Sequence, residues 1–445
     1  MSKQMTNRRK AIIRRRIFLS LCSLVIVCAV ALGVFILSAI FSDSDKTPKA
    51  QGGESASSEQ KKETSEIKES YATVLSTGDI MVHSTQLTGA KVSADVYDFS
   101  SYFKEASSYF KNADLAVANL EVTFGGTESG AYSGYPAFNT PDSFADEIKA
   151  SGLEFLVTAN NHCYDTGLFG LKRTARILKE KGIDFIGTRE SESDSLYTVK
   201  DVNGIKIGMA NYTYETDGQM AGRKYLNGNI ISEEANGLVS SFSYKNIDKF
   251  YNEAEAVINQ MKQKGAEFIV FYMHWGNEYS LTASTWQKTI AQKLSNMGVN
   301  IIVGSHPHVI EPVELINSED GTNTTVCIYS TGNAISNQRQ ELMDSCPSGH
   351  TEDGMFFTYK LRKYGEDVTL EEVNIIPTWV NKYKGEGGRY QYTIYPLESA
   401  EGGSKYGLDS TALAKSKKSY ERTKAIVSEG LTAVQQEIGC EITFK

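Results

Sequence analysis

Histidines in this chain lie where they could bind a metal together. Five of the six fall in four short polar segments, and three of those segments directly follow an apolar, strand-like run; the five are His83, His162, His274, His306 and His308. The segment Asn119-Leu120-Glu121 follows another such run. Because ligands of open α/β sheets gather at the carboxyl ends of strands, these segments can converge in space. Imidazole, carboxylate and amide oxygen form a mixed ligand set that suits Zn, Mn or Fe, so the sequence predicts a metal site.

The pair His306 and His308 is the most specific local signal. These histidines flank Pro307, and alternate residues of an extended segment face the same side, so both imidazoles are expected to point one way. The proline fixes its own φ and stiffens the pair. A pair of surface histidines is the alternative interpretation.

Carboxylate and amide groups complete the predicted set, and each has a structural alternative. Asp79 follows Gly78 at the end of a predicted strand, where it could bind metal or cap a loop. Asn160 or Asn161 could offer an amide oxygen, or their segment could only cap a loop. Asp165 lies three residues after His162 and could orient its ring.

The remaining candidates are ambiguous when each is taken alone. His274 could be an ordinary core histidine, and Asn119 and Glu121 could simply end a strand. His83 is expected to be a bystander. The shared position of the candidates at strand ends nevertheless favours one common metal site.

Apolar strands and amphipathic helices alternate from Tyr71 to Gly304, which predicts an α/β core. A helix is expected over Phe99–Asn112, and Asn203-Gly204 predicts a hairpin turn. After Glu311 the segments are rich in strand formers. A last helix is expected over Ser410–Ile438.

The N-terminus has the features of a membrane anchor. Residues 1–16 hold seven lysines and arginines and no acid, and residues 17–41 carry no charge. A helix of that length spans about 37 Å, enough to cross a ~30 Å hydrocarbon core. The charge asymmetry predicts a cytoplasmic basic segment (1–16), a single-pass transmembrane anchor in the cell membrane (17–41) and an extracellular C-terminal domain. A cleaved signal peptide is the alternative.

Composition divides the rest of the chain. Residues 42–70 are rich in Ser, Glu and Lys and are expected to be a disordered extracellular linker. Residues 71–380 are expected to form the main domain and 381–445 a C-terminal extension with a helix. The net charge of −8 argues against nucleic acid as a partner. Four cysteines beyond the anchor lack CxxC spacing, which leaves both disulfides and free thiols open.

Six motifs occur in a fixed order between Tyr71 and Asn337. They are Gly78-Asp79-Ile80-Met81, Asn119-Leu120-Glu121, Asn160-Asn161-His162-x-x-Asp165, His274-Trp275-Gly276-x-Glu278, His306-Pro307-His308 and Gly332-Asn333. In these motifs the chain resembles the CapA/PgsA family, bacterial capsule proteins of poly-γ-glutamate synthesis. That family is similar in fold to calcineurin-like metallophosphatases. The resemblance implies an α/β domain of two mixed β-sheets flanked by helices, a four-layer sandwich.

The resemblance also implies roles for individual residues. A divalent metal (Mn, Zn or Fe) would be held by Asp79, Glu121, Asn161, His274, His306 and His308. His162 would be catalytic as an acid, with Asp165 beside it. Substrate contacts would come from Asn119, Asn160, Glu278 and Asn333. The phosphatase pattern has other residues at the positions of Met81, Glu121 and Cys163, which implies that one metal is lost or differently bound.

Three functions are consistent with these features. The first is a membrane-anchored, extracytoplasmic protein of capsule polymer synthesis or export, acting on poly-γ-glutamate or a similar anionic polymer. The chain has no Gly-x-x-x-x-Gly-Lys-[Ser/Thr] loop, so ATP-driven ligation would come from membrane-bound polymer synthase subunits as partners. The alternatives are a metal-dependent phosphoester hydrolase and a non-catalytic module that binds an anionic polymer.

Overall fold

This computed structural model describes residues 68–218, 220 and 222–440. The chain divides into two units, Met1–Ser65 and Glu66–Lys445, and the described residues belong to the second. The expected anchor at 17–41 lies outside the described residues, as does most of the expected linker. Among the helices that are described, none has both the length and the apolar character needed to cross a membrane.

Strands and short helices alternate along the described chain. The strands are β1 (Glu69–Ile80), β2 (Leu115–Leu120), β3 (Phe155–Val157), β4 (Asp184–Ile186), β5 (Tyr197–Val202), β6 (Ile205–Tyr214), β7 (Tyr225–Leu226), β8 (Asn229–Ile230), β9 (Ser241–Phe242), β10 (Phe268–His274), β11 (Ile301–Ser305), β12 (Val313–Asn317), β13 (Thr324–Ile328), β14 (Asn333–Ile335), β15 (Asp353–Tyr364), β16 (Asp367–Lys384) and β17 (Tyr390–Pro396). The α-helices are α1 (Ser84–Ala90), α2 (Ser107–Asn112), α3 (Ser143–Ser151), α4 (Gly167–Glu180), α5 (Glu233–Asn236), α6 (Ile247–Gln263), α7 (Thr285–Asn296) and α8 (Ser410–Ile438).

Two mixed sheets organise these strands. The first has the order β17-β16-β15-β1-β2-β3-β4, with β14 beside β1. Its strands β1 to β4 are parallel, whereas β15, β16 and β17 add in antiparallel fashion. The second has the order β12-β13-β11-β10-β6-β5, with β9 beside β6. Every residue of β2 and of β10 is buried, as expected of parallel strands covered on both faces.

The apolar core explains why the sheets stack between helices. Val74 and Val117 of the first sheet share one cluster with Ile207 and Val270 of the second, so the two sheets face each other. Side chains of α1, α2, α3 and α4 pack on the other face of the first sheet. Side chains of α6 and α7 do the same for the second. The α/β architecture of mixed sheets with flanking helices is therefore confirmed.

The segment expected as a helix over Phe99–Asn112 is helical only in its last part, α2. Residues 99–106 form turns instead, with hydrogen bonds from Tyr102 N to Phe99 O (2.9 Å) and from Ala106 N to Phe103 O (3.0 Å). The rings of Phe99, Tyr102 and Phe103 all lie within 6.0 Å of the Phe144 ring. Packing of three aromatic side chains on one partner thus overrides the local helical pattern.

The C-terminal residues are joined to the first sheet. Strand β16 runs through residue 380, and β17 pairs with it. Helix α8 contributes Val427, Leu431 and Val434 to the cluster between the sheets. Arg422 of α8 donates two hydrogen bonds of 2.6 Å to buried Asp353. The four cysteines among the described residues, at 163, 327, 346 and 440, are free thiols.

Candidate metal centre

The carboxyl ends of strands from both sheets meet at one place. Asp79 lies near the end of β1, and Glu121 directly follows β2. Asn161 lies in the loop after β3, His274 ends β10, and His306 directly follows β11. All five side chains are buried. The convergence expected from strand-end positions is therefore present in the structure.

Asn119 joins the carboxylates of the first sheet. Its Nδ2 donates to Asp79 Oδ1 at 2.8 Å and to Glu121 Oε2 at 3.3 Å. Its Oδ1 accepts from Asn160 Nδ2 at 3.1 Å, and Asn160 Nδ2 also donates to Leu120 O at 2.7 Å. These buried amides therefore hold the carboxylates in place. That Asn119 and Asn160 also contact substrate stays a prediction.

The imidazoles of the second sheet face these oxygen atoms. His274 Nε2 lies 2.7 Å from Asn161 Oδ1 and 3.6 Å from Glu121 Oε1. His308 Nε2 lies 3.8 Å from the same Glu121 oxygen. The His306 ring lies 4.9 Å from the His274 ring and 5.9 Å from the His308 ring, measured between centroids. Three histidines thus lie close to the carboxylate of Glu121.

The backbone that presents His306 and His308 differs from the extended segment expected. Their φ angles are 98° and 56°, in the left-handed region that non-glycine residues rarely adopt. Asp79 Oδ2 accepts from His306 N at 3.3 Å, and Tyr279 N donates to Pro307 O at 2.8 Å. The two imidazoles converge because these contacts hold a turn, and not because of strand alternation. Such conformations cost about 1–3 kcal/mol each and are concentrated at functional sites.

Burial sets the charge state of the cluster. Burial lowers the pKa of His274 and of His306 well below the ordinary value, and neighbouring histidines add to the effect. Both rings are therefore neutral at neutral pH, which is the form that binds metals. Burial raises the pKa of Glu121 well above the ordinary value, and the charge of Asp79 acts in the same direction.

The donor atoms fit a divalent cation. Ligand atoms of Glu121, His306 and His308, and likewise of Asp79, Glu121 and His274, lie within 4.8 Å of one another. Among the described residues, Glu121 Oε1 and His306 Nδ1 are buried atoms without a hydrogen-bond partner. Buried polar atoms are nearly always paired, so these two atoms indicate a missing positive partner. The buried groups are compatible with a divalent metal whose identity they do not define.

His162 and Asp165 form a buried pair next to the cluster. His162 Nδ1 lies 2.8 Å from Asp165 Oδ2, which also accepts from Phe138 N at 2.7 Å. The Phe138 ring meets the His162 ring edge-on at 4.8 Å. Burial raises the pKa of Asp165, and the hydrogen bond and charge of His162 oppose that rise. The expected ring-orienting contact is present, whereas a catalytic role for the pair stays a prediction.

Two contacts of the site have no counterpart in the sequence prediction. Ser305 Oγ lies 2.9 Å from His274 Nδ1 and orients that ring. The ring of Tyr214 is nearly parallel to that of His274, with centroids 6.4 Å apart, and lies 4.7 Å from that of His306. Ser305 directly precedes a predicted ligand, which could have drawn attention to it. The sequence carries no comparable signal for Tyr214.

The other predicted residues occupy varied positions. Asn333 is buried, with Oδ1 3.2 Å from His308 Nδ1, whereas Glu278 is exposed. Met81 and Cys163, which depart from the phosphatase pattern, are buried in apolar clusters. His83 lies outside the cluster, its ring 5.3 Å from that of Phe138, and burial lowers its pKa to about 4.

Residues 73–338 match the family described as "Bacterial capsule synthesis protein PGA_cap". The chain belongs to this family. It is 29% identical over 220 residues to the PGA biosynthesis protein CapA of Bacillus subtilis (strain 168), covering 49% of this chain and 50% of that relative. It is 29% identical over 219 residues to the capsule biosynthesis protein CapA of Bacillus anthracis, covering 49% of this chain and 46% of that relative. The chain thus spans about half the length of the curated relatives it matches.

Solved structures with a similar arrangement include the calcineurin-like phosphoesterase YfkN from Bacillus subtilis. The similarity covers 70% of this chain and 91% of that chain, with a TM-score of 0.38 and 13% sequence identity. The protein TT1561 of Thermus thermophilus is similar over 67% of this chain and 97% of its own, with a TM-score of 0.31 and 10% identity. The assignment of individual residues rests on the geometry of the cluster itself.

Proposed function

We propose that this protein acts in the synthesis or export of a capsule polymer, poly-γ-glutamate or a similar anionic polymer. In this proposal residues 17–41 anchor it in the cell membrane, its C-terminal domain is extracellular, and membrane-bound polymer synthase subunits are its partners. The observation that carries the proposal is the family match over residues 73–338, which includes every side chain of the buried cluster.

The buried cluster would hold a divalent metal (Mn, Zn or Fe). The proposed ligands are Asp79, Glu121, Asn161, His274, His306 and His308. A metal bound there would supply Lewis acidity toward an anionic or carbonyl oxygen of the substrate. The chain itself supplies the positioning, because Asn119 holds both carboxylates while Ser305 and Asn333 hold the rings of His274 and His308.

A second candidate function is metal-dependent hydrolysis of a phosphoester, and the pair of His162 and Asp165 favours it. Because Asp165 lies against Nδ1 of His162, Nε2 is the atom that could give a proton to a leaving oxygen. Tyr135, an exposed residue with its ring 6.5 Å from that of His162, marks the side from which a substrate could approach. A non-catalytic module that binds an anionic polymer is the third candidate.

Complementation of a deletion strain tests the main proposal. Expression of the wild-type chain should restore capsule polymer, and the His306→Ala/His308→Ala variant should not. His350→Ala serves as a matched control, since this remaining histidine bonds to Ser348 at 2.7 Å and takes no part in the cluster. Normal polymer in the deletion strain would contradict the proposal. Restored polymer without any phosphodiester hydrolysis by the purified full-length protein would exclude the hydrolase candidate.

Protease accessibility tests the proposed topology separately. Protease added to intact protoplasts should digest the part of the chain that follows residue 41, because the positive charge lies before the anchor. A cytoplasmic protein serves as the control for intact membranes. Full protection of the C-terminal domain would contradict the proposed location.

A further inference from the structure

A cavity of about 550 Å³ lies beside the second sheet, between the end of β6, the segment around α5 and the start of α6. Four basic side chains contribute to its lining, and they are Arg189, Arg223, Lys224 and Lys249. Two carboxylates also line it, those of Glu215 and Glu253. Four positive charges and two negative ones thus line a cavity that is open to solvent on one side.

The two arginines carry donors that the protein leaves unused. Arg189 is only 9% exposed, and its Nη2 donates to Gly237 O, but its Nε has no partner among the described residues. Arg223 Nη2 donates to Ile231 O at 2.7 Å, and its buried Nε is likewise unpaired among the described residues. Buried N–H groups without an acceptor are rare, and both guanidinium groups line the cavity without having all their donors satisfied by the protein.

The carboxylates of the cavity only partly offset these charges. Glu215 accepts from Ser241 Oγ at 2.9 Å and lies 3.9 Å from Lys224 Nζ. Lys224 is held by backbone as well, with a 3.0 Å hydrogen bond to Asn236 O. Burial lowers the pKa of Lys224; the charges of Glu215 and Glu253 oppose the shift, and those of Lys249 and Arg189 add to it. A bound anion, added to these two carboxylates, would relieve this repulsion.

We infer that this cavity is a binding site for a ligand that bears an oxyanion, either a carboxylate or a phosphate. Guanidinium groups suit such ligands because their N–H donors match the spacing of two oxygens. The site is distinct from the metal centre. Tyr214 contacts the cluster imidazoles while the next residue, Glu215, lines the cavity, as expected for neighbours on opposite faces of a strand end. The inference does not depend on the proposed function.

Titration calorimetry of the purified full-length protein tests the site with two probes, inorganic phosphate and glutarate. Arg189→Gln should weaken binding by about tenfold or more, since it removes a charge-assisted hydrogen bond. Lys249→Gln should weaken binding by about twofold to fivefold, because this lysine is exposed. Its exposure also means that the change leaves the fold intact. Arg362→Gln, which removes an arginine paired with Glu69 on the first sheet, should leave binding unchanged.

The two probes and the variants separate the outcomes. Binding of phosphate alone would support the site with phosphate as the ligand group, and binding of glutarate alone would support a carboxylate. Binding that falls in Arg189→Gln and Lys249→Gln but not in Arg362→Gln places the anion in the cavity. Failure of the wild type to bind either probe at about 10 mM would overturn the inference. Equal binding by the wild type, Lys249→Gln and Arg189→Gln would also overturn the inference, because the anion would then lie elsewhere.

Discussion

The two sheets contribute different chemistry to the same site. The ends of the first sheet provide mostly oxygen atoms, from Asp79, Asn119, Glu121, Asn160 and Asn161. The ends of the second sheet provide imidazole nitrogen, from His274, His306 and His308. His162 is the exception, since it lies on the first-sheet side and pairs with Asp165 rather than with the central carboxylates.

The two halves are also held in different ways. Asn119 connects Asp79 and Glu121 by hydrogen bonds within the first sheet. By contrast, Asp79 Oδ2 bonds across to the backbone of His306 and to the ring of His308. The nitrogen half thus depends on the oxygen half for its conformation. The site can form only when the two sheets are packed together, which couples metal binding to folding.

Removing two of the three imidazoles of the second sheet should have the largest effect. We expect the His306→Ala/His308→Ala variant to lose its metal. Loss of groups that only orient ligands costs ~10–100-fold in affinity, so loss of two ligands should cost well over ~100-fold. Metal content of the purified full-length protein measures this, with His350→Ala as the control. Unchanged metal in the double variant would show that neither His306 nor His308 is a ligand.

Replacing His162 tests whether the exceptional histidine belongs to the metal site. We expect His162→Ala to keep its metal and to lose hydrolytic activity by ~10²–10⁴-fold, the usual contribution of a general acid. A fall in metal occupancy would instead make His162 a ligand. Full metal, full hydrolysis and full polymer production together would contradict a catalytic role for His162. Asp165→Asn is the companion variant. It keeps the shape of the side chain beside His162 Nδ1 but removes its negative charge.

A smaller effect is expected from Ser305, which orients a ring of the second sheet without offering a ligand atom. Ser305→Ala removes the oxygen 2.9 Å from His274 Nδ1, so metal affinity should fall by ~10–100-fold. Ser305→Thr keeps the hydroxyl and should restore most of that affinity. Competition with a metal chelator measures both variants. Equal affinity in Ser305→Ala and the wild type would mean that packing alone, including the ring of Tyr214, holds His274.

Local signals in the sequence define the elements and the strand-end positions. Helix α8 has the bounds expected, because Asp409 Oδ1 accepts from Ala412 N at 2.8 Å at its start and Gly439 adopts a φ of 71° at its end. The positions of Asp79 and His274 at strand ends follow from local sequence in the same way. These features depend on residues close together in the chain, and so a single sequence reveals them.

Features that depend on contacts between distant segments were not predictable. The positive φ angles of His306 and His308 require the side chain of Asp79, more than two hundred residues earlier. The turns over residues 99–106 require the ring of Phe144. Arg189 and Lys249, which line the cavity beside the second sheet, come from separate segments of the chain. In each case the decisive partner is brought close only by the packed fold.

The last prediction concerns a buried carboxyl that lies outside the cluster, in the segment between β11 and β12. Glu311 follows β11, is fully buried and accepts a 2.6 Å hydrogen bond from Gln287 Nε2, while its Oε1 has no partner among the described residues. Burial raises its pKa from 4.5 to about 7, and the Gln287 bond opposes that rise. The folded protein therefore binds this proton more tightly than the unfolded chain does.

The sign of the pH dependence follows from that difference. The contribution of Glu311 to stability is fully present below the unfolded pKa of 4.5 and is lost as the pH rises through the folded value of about 7. Glu311→Gln keeps the shape of the side chain but cannot titrate. Between pH 5 and pH 8 the wild type should therefore lose about 2 kcal/mol more of its free energy of unfolding than the variant does.

Denaturant unfolding in the presence of a metal chelator measures this difference without a contribution from metal binding. Glu319→Gln, at an exposed position, is the control. Equal pH dependence in the wild type and Glu311→Gln would show that the fold compensates the charge of the Glu311 carboxylate. Glu311 would then differ from Glu121 in the cluster.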